Sequence, residues 1–215
     1  MKGRRVVRDL VALVADKNIE SALCGLLARP EALGIRPVTY AVFVHPEHDP
    51  ACLRKAAPFL RASASSYRHA LVILDREGCG REHCSREELE SEIERSVAPT
   101  GWSDRVAAVA IDPELENWVW SDSPEVDRAL GWGDQLEDVR HWLRGRHFAI
   151  ARGKPDRPKE ALQAVLRQVR KPRSSALFAQ LAERVSFDRC EDPAFAKLRA
   201  VLATWFSAPA DPGAT

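Results

Sequence analysis

The stretch HALVILDREGCG, residues 69–80, decides the fold. Its first half is almost wholly apolar up to Asp75, and such a run reads as a strand buried on both faces, which favours the centre of a largely parallel sheet. Its second half turns abruptly into a charged, glycine-containing loop. The same succession recurs on either side. Val6 to Val14 is dense in Val and Leu and stops at Asp16; behind an N-cap at Asp16 or Asn18, Ile19, Leu23, Leu26 and Leu27 fall at helical spacing. Pro37 opens a second β-rich run, VTYAVFV, which ends at HPEHDP (residues 45–50). ACLRKAAPFLRAS then reads as a helix that Pro58 should kink or restart. SREELESEIERSV carries a capping box, Ser85 with Glu88 three residues on, and RVAAVAI is a fourth strand ending at Asp112.

Strand and helix thus alternate from about Val6 to Ile111, the signature of an α/β sheet built by right-handed crossovers. Beyond it no further strand is expected. Helices are read from Pro113, near Pro124 to Leu130, and over Gln135 to Leu143, Pro158 to Arg170, Ser174 to Val185 and Pro193 to Phe206. The expected organisation is an α/β core over 1–120, a helical region over 121–207 packed on it, and a frayed tail over 208–215.

The chain has 215 residues, 45% hydrophobic and 29% charged, with 32 Lys+Arg against 31 Asp+Glu. That suffices for one sizeable core, and the net charge of +1 excludes the uniformly basic nucleic-acid binders and the acidic, solvating type. The balance is a cancellation. Residues 74–94 hold eight acids and three bases, whereas Arg140 to Arg173 hold eleven Lys/Arg against only Asp156 and Glu160, a net of +9. Arg8 and Asp9 interrupt the first apolar stretch, so neither a signal peptide nor a membrane span is expected there. Five cysteines, an odd number, suit free thiols in a reducing cytoplasm.

Ligands of open parallel sheets bind beyond the carboxyl ends of the strands. Here those ends carry Asp16 and Glu20; His45, Glu47, His48 and Asp49; Asp75 and Glu77; and Asp112, Glu114 and Glu116. Carboxylates converging on one edge form an oxygen-rich pocket of the kind that takes Mg²⁺ or Mn²⁺. The D-x-E of Asp75 and Glu77 is the sharpest element, since residues two apart on extended chain point to one side. Glu114 and Glu116, once in a helix, stand about 200° apart, so only one of them should face the site. Asp112 then reads as the N-cap before Pro113, and Trp118 as core. His48 and Asp49 are secondary candidates. Cys79, His83 and Cys84 are three soft ligands in six residues, but without a second zinc knuckle they read as a thiol-bearing loop. In the basic stretch, Lys154 and Lys159 are candidates to stabilise a phosphoryl group, and Arg144, Arg146, Arg152, Lys154 and Arg157 to contact a phosphate backbone. Pro158 at a first helical position would offer free amides to a phosphate as well.

VADKNIE, ILDREGCG, PELENWVW and PKEAL together resemble the Toprim-related proteins of the overcoming-lysogenization nuclease kind, in particular the small Toprim-like component of methylation-associated phage-defence systems. The resemblance spans about Val6 to Leu162. It implies a compact parallel-sheet fold holding Mg²⁺ or Mn²⁺ for phosphodiester cleavage of DNA or RNA, in a bacterial antiviral system with other defence proteins as partners. The family's D-x-D falls on Asp75 and Glu77, its PE-x-E-x-W on Glu114, Glu116 and Trp118, and its PK on Pro158 and Lys159. Ala15 stands where the family's leading Glu falls, so Asp16 or Glu20 has to substitute. The resemblance, with Lys154 added from the basic stretch, thus implies a metal-dependent nuclease with Asp75, Glu77, Lys154 and Lys159 in catalysis and Asp16, Glu20, Asp75, Glu77, Glu114 and Glu116 around the metal. The alternative is a catalytically inactive adaptor or nucleic-acid sensor, motivated by Ala15 and by the single-domain size.

Overall fold

Leu10–Val14 and Ala70–Leu74 are completely buried, and the two strands that carry them, β1 (Arg8–Val14) and β3 (Tyr67–Asp75), lie side by side at the centre of the sheet. The computed structural model describes residues 6–187 and 190–208, so the tail expected to fray lies, apart from residue 208, outside the described residues. Between β1 and β3 the chain forms α1 (Lys17–Leu27), α2 (Pro30–Leu33), β2 (Tyr40–Val44) and α3 (His48–Arg61). α4 (Arg86–Val97) and β4 (Val106–Ile111) follow. All four strands are parallel, in the order β2-β1-β3-β4.

That order reverses between β1 and β3. The chain steps from β1 to β2 in one direction, then crosses back to β3 and on to β4 in the other, which makes the gap between β1 and β3 the switch point where such sheets open a crevice. Right-handed crossovers in opposite directions put α1 on one face and α3 with α4 on the other.

Local chemistry sets the element ends. Asp16 is the N-cap of α1, and at α4 Ser85 accepts from the Glu88 amide while Glu88 accepts from the Ser85 amide, a complete capping box. α3 runs unbroken through Pro58, so the helix does not restart there; the proline falls in its last turn.

After β4 come α5 (Glu116–Val119), α6 (Pro124–Leu130), α7 (Val139–Arg144), a ribbon of β5 (Ile150–Ala151) with β6 (Lys154–Pro155), α8 (Pro158–Gln168), α9 (Ser175–Arg184) and α10 (Pro193–Phe206). The antiparallel ribbon corrects the expectation of no strand beyond Ile111; each arm is two residues, too short to leave a periodic signal. The helices return to the sheet. α9 lies along α1, and α10 lies along β4, with Trp205 stacked on His69 of β3.

Arg140 joins three of these pieces. Its Nε donates to Gly153 O of the ribbon turn (3.0 Å), its Nη2 to Ser121 O (2.7 Å), and its Nη1 stands 3.9 Å from Asp127. Burial raises the proton affinity of Asp127, and Arg140 is the cation that opposes this. Charge-assisted bonds of this kind contribute about 1.5–3 kcal/mol each. Arg140→Met is expected to lower the urea midpoint and to speed amide exchange over residues 149–156 first; an exchange pattern unchanged at the ribbon would refute this role.

Candidate functional site

The crevice between β1 and β3 is filled by the start of α3. Asp49 Oδ1 accepts from the Asp75 amide at 2.8 Å, and His48 Nδ1 lies 3.1 Å from Ala15 O, which requires the nitrogen facing that carbonyl to carry the proton. Ala15 itself is completely buried. Asp16, beside it, is engaged by its helix: Oδ1 accepts from the amides of Asn18 and Ile19, both at 2.8 Å, and Oδ2 from Asn18 Nδ2 at 3.2 Å. Asp75 Oδ1 accepts from the Leu115 amide at 2.9 Å, tying the end of β3 to the loop after β4.

That loop differs from the expected helix. The helical turn starts only at Glu116, so the angular argument that one of the two glutamates must face away does not apply: Glu114 and Glu116 are both buried, 3% and 2% exposed. Each is met by a cation from the basic stretch. Lys159 Nζ donates to Glu114 Oε2 at 2.8 Å, and Arg173 Nε donates to Glu116 Oε1 at 3.1 Å, with Nη2 on the same oxygen. Asp112 does not cap a helix; it pairs with Arg76 at 2.9 Å.

The charges interact strongly. Burial, then the neighbouring carboxylates Asp49, Glu116, Asp16 and Glu114, push Asp75 well above the usual carboxylate range. Asp49 is raised mainly by burial, against the pull of the Asp75 amide, and Glu114 likewise against the pull of Lys159. Lys159 is raised in turn by its hydrogen bond to Glu114. Five acids therefore meet two cations, which leaves excess negative charge around Asp75 and favours its proton-bound form.

The other expected residues lie elsewhere. Glu20 pairs with Lys17 at 2.7 Å and does not join the acids around Asp75. Glu77 is exposed; its amide donates to Pro113 O, and its charge acts on Glu114. Lys154 reaches Asp192 (3.3 Å) in a separate cleft of about 560 Å³ that Arg152 also lines. Arg146 covers the Trp142 ring at 3.6 Å and Arg157 the Phe148 ring at 4.6 Å, while Arg144 is exposed on the last turn of α7. Trp118 is only half-buried: its indole donates to Asp192 Oδ1, and its ring meets Phe195. Cys79 is completely buried rather than part of an open loop, and Cys84 Sγ accepts from Arg81. Arg173 is the site residue that sequence reasoning missed, because nothing local marks a partner 57 positions away.

These positions bear on the implied divalent ion. Among the described residues no three His, Cys, Asp or Glu side chains stand together closely enough to hold a metal. Ala15 supplies no side-chain oxygen, Asp16 caps α1, Glu20 faces Lys17, and Glu114 and Glu116 are held by Lys159 and Arg173. The donor set of a Toprim-type centre does not fit these residues as they are arranged.

Fold and site together define a four-stranded, all-parallel α/β protein with an internally paired acidic cluster at its switch point. No family model, no curated protein and no solved structure matches the chain. Among the described residues no helix is long and apolar enough to cross a membrane.

Proposed function

We propose that this chain is a Toprim-like component of bacterial antiviral defence that acts without cleaving nucleic acid itself, as an adaptor or sensor docked on larger defence proteins. One observation carries the reading: the acids at the sheet edge are occupied by the chain's own groups, Glu114 by Lys159, Glu116 by Arg173, Asp16 by the α1 amides and Asp49 by the Asp75 amide. The cations fix this arrangement, because removing either one leaves a buried carboxylate without its counter-charge. The basic stretch then supplies the contact with nucleic acid, and Arg144, Arg152 and Arg157 are exposed for it.

The test is plaque formation on cells carrying the complete defence system. Asp75→Ala with Glu77→Ala is expected to leave protection intact, and Glu replacements at Arg144, Arg146, Arg152 and Arg157 to abolish it. Loss of protection in the first variant and retention in the second would overturn the reading.

A second reading, the Mg²⁺- or Mn²⁺-dependent nuclease, is favoured by the excess negative charge around Asp75, which a cation would relieve as a proton does. It requires cleavage of DNA or RNA by purified protein with either metal, abolished by Asp75→Ala.

A further inference from the structure

The two edges of the sheet are treated in opposite ways. The outer edge of β4 is closed: Ala108 N donates to Glu94 (2.9 Å) and Ala110 N to Glu90 (3.0 Å), and Lys197 of α10 clamps both carboxylates. Among the described residues the outer edge of β2 has no such cover. Thr39 O and His45 N bond to β1, so by alternation along a strand Tyr40, Val42 and Val44 turn their N–H and C=O groups outward. Among the described residues the backbone of β2 is hydrogen-bonded to β1 alone. The strand, YAVFV, has no charge, no proline and no fully buried residue, and Phe43 is 42% exposed beside the equally open Phe59 of α3, ring centroids 6.0 Å apart. An open apolar edge of this kind is a template for another strand, and folded proteins normally blunt it.

We propose that the β2 edge is the interface of a homodimer, in which β2 of two copies pair antiparallel about a two-fold axis through Val42, extending the sheet across both chains. Three features select a second copy. In this register the outward groups of Val42 meet their own counterparts, and those of Tyr40 meet those of Val44, so every outward backbone group finds a partner. Phe43 falls opposite the small Ala41 on one face, and on the other Tyr40 falls opposite Val44 and Val42 opposite itself, so each aromatic meets a small or β-branched residue. The charges also match. The amino end of the sheet carries Arg8, Arg36 and Arg68 against Asp9, a net positive charge, whereas at the carboxyl end Glu47 is paired with Lys55 and the acidic cluster sets five acids against Lys159 and Arg173, a net negative one. Antiparallel pairing sets the Arg36 end of one copy beside the Glu47 end of the other, as an isologous contact requires.

Light scattering of the full chain at tens of micromolar is expected to give twice the monomer mass of 24.0 kDa. Two variants are expected to give monomer with the wild-type melting profile. Phe43→Lys changes an exposed side chain, and Val42→Pro removes an amide that points away from β1. Pairing register is read independently: Ala41→Cys chains mixed with Phe43→Cys chains should form a crosslinked dimer on oxidation that neither variant forms alone. A monomeric wild type, a dimer indifferent to both substitutions, or crosslinking without regard to the mixture would each overturn the proposal.

Discussion

Glu90→Leu is expected to lower the stability of the protein by about 3–5 kcal/mol, the range for breaking a buried ion pair by removing one partner. Glu90 is 3% exposed, and its carboxylate performs three tasks at once. Oε1 accepts from Ala110 N at 3.0 Å and from Arg86 Nη1 at 2.9 Å, and Oε2 accepts from Lys197 Nζ at 3.1 Å. Leucine would leave a buried strand amide without an acceptor and Arg86 without its buried partner. Since a domain has only about 5–15 kcal/mol in total, the loss is a large share of it. The urea midpoint should fall with little change in slope, and the opened β4 edge should increase aggregation. Glu94→Gln is the milder control. Glu94 is about one-third exposed, and glutamine keeps an oxygen for Ala108 N. A Glu90→Leu protein as stable as wild type would show that α4 does not close this edge.

Asp75→Asn should act in the opposite direction and stabilise the protein at neutral pH. The folded state raises the pKa of Asp75 above its unfolded value, through burial and four neighbouring acids, so the folded state binds the proton more tightly. Stability is therefore highest below the ordinary carboxylate pKa and declines as pH rises from there towards the raised folded pKa. Asparagine removes the charge while its Oδ1 still accepts from the Leu115 amide. A gain of about 1–3 kcal/mol, typical of correcting a poorly compensated buried polar group, is expected at pH 8. In a chain of this size that corresponds to roughly 2–4 °C in Tm for each kcal/mol. Near pH 4 the variant and the wild type should converge. Destabilisation at pH 8 would instead mean that the Asp75 anion is a structural partner of a cation.

Local chemistry was legible in the sequence and long-range pairing was not. Ser85 with Glu88 announces its capping box, and α6 and α10 span Pro124–Leu130 and Pro193–Phe206 as expected, because proline at N1 and apolar periodicity act within a few residues. The acidic strand ends were equally readable, and parallel topology brings Asp16, Asp49, Asp75, Glu114 and Glu116 to one edge. Their neutralisation was not readable. Lys159 reaches Glu114 across 45 positions and Arg173 reaches Glu116 across 57, contacts that depend on how the helical half returns to the sheet. The D-x-E also misled in part, since Asp75 turns inward while Glu77 is exposed.

The central claim is that the acids of this sheet edge are held by the chain's own cations and amides and bind no divalent ion. Electron paramagnetic resonance of Mn²⁺ titrated into the 215-residue chain at neutral pH addresses it directly. The account predicts that Mn²⁺ up to millimolar concentration keeps its free-ion signal, equally for wild type and Asp75→Asn. Stoichiometric loss of that signal at micromolar Mn²⁺ in wild type, absent in Asp75→Asn, would contradict it and return Asp75 to the centre of a metal-dependent site.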